Sequence, residues 1–155
     1  MAAPAVTRFP LDSNVLVYAV DRNDRRRSDS ALQILARAAR RDCVLIPQTL
    51  AEFFSDVTRK RVTSRALALA QLRDWSEAYP QAEGPTAACV IAAAQAPPSF
   101  QFYDALLLAT PGAAGCEAII SEDMHPGARL GGVRVVAAFA AAAGIGAEAE
   151  ALLGA

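Results

Sequence analysis

Hydrophobic positions along the chain fall into short continuous runs and longer stretches of helical spacing, separated by turn residues. Val6 to Leu11 reads as a short strand that stops at Asp12, and Ser13 to Val20 as a helix capped by Ser13. After the polar turn Asp21 to Arg27, the segment Ser28 to Arg41 places Leu32, Leu35 and Ala39 on one helical face, with Ser28 as its cap. Cys43 to Ile46 is a short strand of the buried type, ended by Pro47. Gln48 to Lys60 repeats apolar residues at Leu50, Phe53, Phe54 and Val57, the spacing of an amphipathic helix. Glu52 and Asp56, four apart, share one flank of it.

Ser64 to Tyr79 is the clearest amphipathic pattern, with Leu67, Leu69, Leu72 and Trp75 recurring before Pro80 to Pro85 breaks the chain. Thr86 to Ala96 is an alanine-rich helix stopped by Pro97 and Pro98. Ser99 to Ala109 opens a helix near Phe102 and carries Asp104 in its first turn. Pro111-Gly112 is expected to end it, because proline lacks the amide hydrogen and clashes with the preceding turn. Ala118 to Ser121 is a strand followed at once by Glu122 and Asp123, and Val133 to Val136 is another. Strands alternating with helices predict a single α/β domain, a central parallel sheet flanked by helices, over residues 1–139. Residues 140–155 read as an alanine-rich C-terminal tail, within a weakly patterned stretch that begins at Ala137.

Composition narrows the class. The 155 residues carry 15 basic and 16 acidic side chains, a net charge of −1, so neither a polybasic tail nor a charge-swollen disordered chain is present. A chain this long buries roughly 68 to 70% of its unfolded surface and holds a core without disulfides or structural metal. Alanine, at 36 residues, favours closely packed helices. Cys43, Cys89 and Cys116 form no CxxC pair, and the single His125 has no metal-ligand partner nearby in sequence, which predicts a reduced, cytoplasmic protein. Met1 to Asp12 contains no apolar leader core, and the longest low-polarity stretch, Val135 to Ala147, falls short of the ~20 residues a membrane span needs.

Charge is uneven. Residues 1–75 carry 13 basic and 8 acidic side chains, whereas residues 76–155 carry 2 and 8. The basic excess gathers at Arg25, Arg26 and Arg27, at Arg37, Arg40 and Arg41, and at Arg59, Lys60, Arg61 and Arg65. Solvated helix ends account for such clusters; a nucleic-acid footprint is the sharper reading, for which Arg25 to Arg27 and Arg59 to Arg61 are the candidates.

In an open α/β sheet the ligand site lies outside the carboxyl ends of the strands. Asp12 and Asp123 stand there directly, and Glu52 and Asp104, near helix starts, can face the same mouth. Taken singly, each acid has an ordinary role open to it, as a cap, a turn residue or an exposed helix acid. Together, and with Glu52 and Asp104 set in the apolar strings TLAEFF and FQFYDALLLA, they would repel one another unless a cation sits among them. Oxygen ligands without His or Cys suit Mg²⁺ or Mn²⁺. Asp56 and Glu122 are secondary neighbours, read as solvated.

The strings LDSNVLVYAVD (11–21), PQTLAEFFSDVTRK (47–60), SFQFYDALLLA (99–109) and ISEDMHPG (120–127) resemble the successive motifs of PIN domains, and most closely those of VapC-type ribonuclease toxins. The resemblance runs from about Phe9 to Phe139. It implies a parallel-sheet α/β fold and endonucleolytic cutting of RNA by water activated at Mg²⁺ or Mn²⁺, with Asp12, Glu52, Asp104 and Asp123 as the acidic set. Ser13 and Asn14 match the family's polar residues after the first Asp, with a supporting role implied. Homodimerisation and inhibition by a cognate antitoxin protein are also implied, with any DNA binding coming through that antitoxin. One departure is Thr110-Pro111-Gly112, where such toxins continue the Asp104 helix; it leaves open a catalytically weak or inactive PIN-like module that binds RNA or protein. Two rival enzyme classes fit less well. A haloacid-dehalogenase-type phosphotransferase needs an Asp where Asn14 stands, and a receiver domain needs a strand-end Lys, whereas Lys60 closes a helix.

Overall fold

Phe9, Leu11, Ile119 and Ile120 are completely buried, and their strands make the seam on which the molecule is built. The computed structural model describes residues 6–154; Met1 to Ala5 of the expected leaderless N-terminus and Ala155 of the expected tail lie outside the described residues. Among the described residues five strands are formed: β1 (Phe9–Pro10), β2 (Cys43–Val44), β3 (Ala118–Ser121), β4 (Arg129–Leu130) and β5 (Val133–Ala137). Seven helices accompany them: α1 (Ser13–Val20), α2 (Arg25–Ala38), α3 (Pro47–Arg59), α4 (Arg65–Ala78), α5 (Ala87–Ala94), α6 (Phe102–Ala113) and α7 (Ala147–Leu153).

β1 pairs with β2 in parallel, and β3 pairs with β5 in parallel. The two ladders meet where Leu11 bridges Ile120, with the Asp12 amide donating to the Ile120 carbonyl at 2.9 Å and the Glu117 amide to the Arg8 carbonyl at 3.0 Å. Beyond β2, Leu45 bridges Gln81 in parallel, and β4 closes the far edge antiparallel to β5. The chain leaves β1 for β2 on one side and returns to β3 on the other. The gap between the carboxyl ends of β1 and β3 is therefore the switch point at which α/β sheets bind ligands.

Packing decides the helix faces. The main core joins Phe9, Leu11, Leu16, Ile34, Phe53, Trp75 and Leu153, with Phe53 and Trp75 edge to face at 4.7 Å; a second cluster packs Leu107, Leu108 and Ile119 with Val133 and Val135. On α2 the buried face is Ala31, Ile34, Leu35 and Ala38, so Leu32, expected inside, is 45% exposed. On α4, Ala68 and Trp75 go in, while Leu67 and Leu69 are 66% and 42% exposed. Hydrophobic spacing alone favours leucine for the inner face, whereas close helix packing here takes the smaller Ala31, Ala38 and Ala68 inward.

β1 and β2 are shorter than the sequence reading, being Phe9–Pro10 and Cys43–Val44, and three helix boundaries differ for a local reason. Asp12, not Ser13, is the N-cap of α1, accepting from the Ser13 amide. Asp24 caps α2 through the Arg27 amide, so the helix starts at Arg25 inside the expected polar turn, and Ser28 is buried within it. α6 continues through Pro111 to Ala113. Proline deprives the Leu107 carbonyl of its donor, but the flanking Leu107, Leu108 and Thr110 are buried. The turn is closed by Ala114 and Cys116 amides donating to the Pro111 carbonyl at 3.0 and 2.9 Å. Within the alanine-rich C-terminal stretch, Ala149 and Leu153 of α7 join the main core, and Arg41 Nε donates to the Leu153 carbonyl at 2.7 Å. Among the described residues no helix is long and apolar enough to cross a membrane.

Candidate active site

Asp12 sits at the switch point because β1 ends there and α1 begins. Its carboxylate is 4% exposed and is held on every side. The Ser13 amide donates to Oδ1 at 2.7 Å, Ser121 Oγ to Oδ2 at 2.6 Å, and Asn14 Nδ2 to Oδ2 at 3.3 Å. Burial nevertheless pushes its pKa up to about 6; the bonds from Ser121 and Ser13 hold it down, and Glu52 and Asp123 push it further up.

Glu52 approaches from α3. Ser13 Oγ donates to its Oε2 at 3.0 Å, so Ser13 touches both acids, lying 3.4 Å from Asp12 Oδ1. Gln48, one turn earlier on α3, donates from Nε2 to Glu52 Oε1 at 3.0 Å and to the Tyr103 carbonyl at 3.2 Å, joining α3 to the helix that bears Asp104. Asp104 is half-buried in the first turn of α6, and its pKa is raised by burial first and then by Glu52 and Asp123. Asp123 is exposed on the loop after β3, where Asn14 Oδ1 accepts from the neighbouring Glu122 amide at 3.2 Å.

The sequence-predicted acids thus share one neighbourhood, through contact at Asp12 and Glu52 and through charge at Asp104 and Asp123. None of the seven ion pairs among the described residues uses any of the four. Four acids without a cationic side chain, offering only oxygen donors, match in donor chemistry a hard divalent cation of the Mg²⁺ or Mn²⁺ kind. Among the described residues no three His, Cys, Asp or Glu side chains are already drawn together as a chelate. The match is therefore one of donor type and charge, with the arrangement looser than a closed site.

Two contributors escaped the sequence reading. Ser121 is fully buried and bridges β3 to Asp12; the signal was a hydroxyl closing the otherwise apolar strand AIIS. Gln48 left no signal beyond its place one turn before Glu52.

The basic clusters divide. Arg25 and Arg26 are exposed, whereas Arg27 forms an ion pair with Glu122 and stacks 4.9 Å from the Phe139 ring and 5.6 Å from that of Tyr18. Glu122, read as solvated, is thereby tied down. Arg59 pairs with Asp56 at 3.0 Å, while Lys60 and Arg61 stay exposed. Arg59, seven residues on from Glu52, lies about 10 Å from it along α3, and Lys60 and Arg61 follow beyond the helix end.

The PIN domain family model matches residues 10–126, spanning β1 to the loop beyond Asp123. The chain belongs to the PIN-domain family. No curated protein matches it. The PIN fold is also seen in two solved structures. One is VapBC2 from Rickettsia felis, bound to a DNA fragment from its promoter. It aligns at 14% identity and TM-score 0.59 over 83% of this chain and 97% of that one. The other, Mycobacterium tuberculosis VapC20, is described as a sarcin-ricin loop cleaving toxin. It aligns at 19% identity and TM-score 0.56 over 72% of this chain and 86% of that one.

Proposed function

We propose that this PIN domain is a metal-dependent endoribonuclease, a VapC-type toxin held in check by a cognate antitoxin. The observation that carries the reading is Asp12: a residue 4% exposed at the sheet switch point, joined to Glu52 through Ser13 and with no cationic partner among the described residues. A carboxylate in such a place is costly for folding alone and is explained by a ligand that offsets its charge.

Asp12, Glu52, Asp104 and Asp123 would hold Mg²⁺ or Mn²⁺. When bound, the ion polarises a phosphodiester and lowers the pKa of water. The protein's part is orientation. Ser121 and the Ser13 amide fix the Asp12 carboxylate, Ser13 Oγ and Gln48 fix Glu52 from either side, and Asn14 fixes the loop that carries Asp123. Continuation of α6 through Pro111 keeps Asp104 on an unbroken helix, which supports the nuclease over the inactive module that Thr110-Pro111-Gly112 left open.

The likeness to VapBC2 and to the sarcin-ricin loop cleaving toxin VapC20 is one of fold, and it supports an antitoxin partner and an RNA substrate by analogy alone. An antitoxin would be expected to offer a basic residue to the unpaired acids. The purified protein should cleave RNA in Mg²⁺ or Mn²⁺, stop on chelation, and lose cleavage in Asp12→Asn. Equal cleavage by wild type and Asp12→Asn would refute the assignment.

A further inference from the structure

Beside the acids, a cleft of ≈ 710 Å³ opens between the start of α6 and the loop that follows β3. Asp104 and Asp123 form one end of it, so whatever fills the cleft lies against the acidic site. Its volume is within the range of pockets that hold small organic ligands.

The walls divide by chemistry. Phe100 and Met124 give an apolar wall, with Val135 of β5 beneath, and Phe100 is fixed because it packs against two separate hydrophobic clusters while staying half-buried. His125 and Arg129 line the rim, both exposed, and neither enters an ion pair among the described residues. Arg134, five residues on, is by contrast committed to Glu148 at 2.6 Å. Gln101, at the α6 cap, offers both a donor and an acceptor. A flat aromatic wall, a free guanidinium and an adaptable amide, beside carboxylates suited to a cation, fit a nucleotide better than an apolar ligand.

We infer that this cleft seats one unpaired nucleotide of the substrate RNA, its base against Phe100 and Met124 and its phosphate toward Arg129 and His125. The inference rests on the ribonuclease reading and deepens it. A base can enter the cleft only when it has left its helical stack. Gln101 is the residue placed to distinguish one base from another.

The test uses the full chain carrying Asp12→Asn, so that binding is read without cleavage, and a short fluorescein-labelled single-stranded RNA followed by anisotropy. Phe100→Ala should weaken binding about tenfold, the range expected for a lost stacking partner, and Arg129→Ala should weaken it severalfold with a shallower salt dependence. The same RNA annealed to its complement should bind more weakly and respond little to Phe100→Ala. Since Phe100→Ala could loosen the fold, Gln101→Ala supplies a second reading at an exposed position: in the wild-type background it should change the preferred base at the cut site while leaving the melting temperature in place. Unchanged single-strand affinity in both Phe100→Ala and Arg129→Ala, or equal binding of duplex, overturns the cleft assignment while leaving the nuclease reading intact. Failure of the parent protein to bind any RNA overturns both.

Discussion

Ser121 Oγ donates to Asp12 Oδ2 at 2.6 Å, across the gap where β3 and β1 end side by side. The bond joins residues 109 positions apart and is itself buried. Ser121→Ala should remove a charge-assisted bond from a desolvated carboxylate and cost about 2 kcal/mol. For a chain of this size that lowers the melting temperature by roughly 4 to 8 °C, and Ser121→Thr, which keeps the hydroxyl, should lose less. Scanning calorimetry in EDTA checks both.

Asp12 also sets a pH dependence. Its pKa rises from 3.8 to about 6 on folding, so between these values the native chain binds more protons than the unfolded one. Its effect on stability is absent below about pH 4, grows more unfavourable as pH rises toward 6, and then levels off at about 3 kcal/mol. Urea titrations in EDTA should show wild type losing stability relative to Asp12→Asn across that window. Asparagine retains the N-cap, so parallel curves for the two proteins would contradict the raised pKa.

Divalent metal should act oppositely on the same acids. Burial, Glu52 and Asp123 all raise the pKa of Asp104. Asp104→Asn should therefore melt at or above the wild-type temperature in EDTA yet gain less from added Mg²⁺ or Mn²⁺. Thermal shift assays with and without metal separate the outcomes; equal gains would speak against a shared site.

The N-terminal turn of α2 predicts a division of labour among neighbouring arginines. Arg27→Ala should lose the Glu122 ion pair and both ring contacts, lowering stability by about 1 to 2 kcal/mol. Arg25→Ala and Arg26→Ala should stay within about 0.5 kcal/mol of wild type. If this turn meets phosphates, they should flatten the salt dependence of RNA binding.

The order of β1 to β3, β5 and α1 to α6 was legible because each short apolar run sits beside a helical pattern, and the four acids stood out by position at strand ends and helix starts. β4 is too short to show a pattern, and α7, read as tail, is alanine-rich with few large apolar residues. What the sequence concealed lies in competitions settled only in three dimensions. Leu67 and Leu69 look like a buried stripe, but the place against Phe53 goes to Trp75 and the small Ala68. Ser28 reads as the cap of α2, but the cap is Asp24, four residues earlier, which accepts from the Arg27 amide. Pro111 is a breaker by local rule and is overruled by the buried side chains around it. Ser121 acts on Asp12 from a neighbouring strand, where no spacing connects the two, and Gln48, although one turn before Glu52, makes its second bond to the Tyr103 carbonyl of α6, which only the fold brings within reach.

Because β1 and β3 are stitched by so few backbone bonds, the Asp12 side chain serves as an extra rung beyond the last one, and the Asp12 amide, which donates to Ile120, is that last rung. Whatever steadies the carboxylate steadies the seam beneath it. Deuterium uptake at this single amide is thus a built-in gauge: it should slow when the site is filled, quicken when Ser121 is removed, and report occupancy in a protein that turns over no substrate at all.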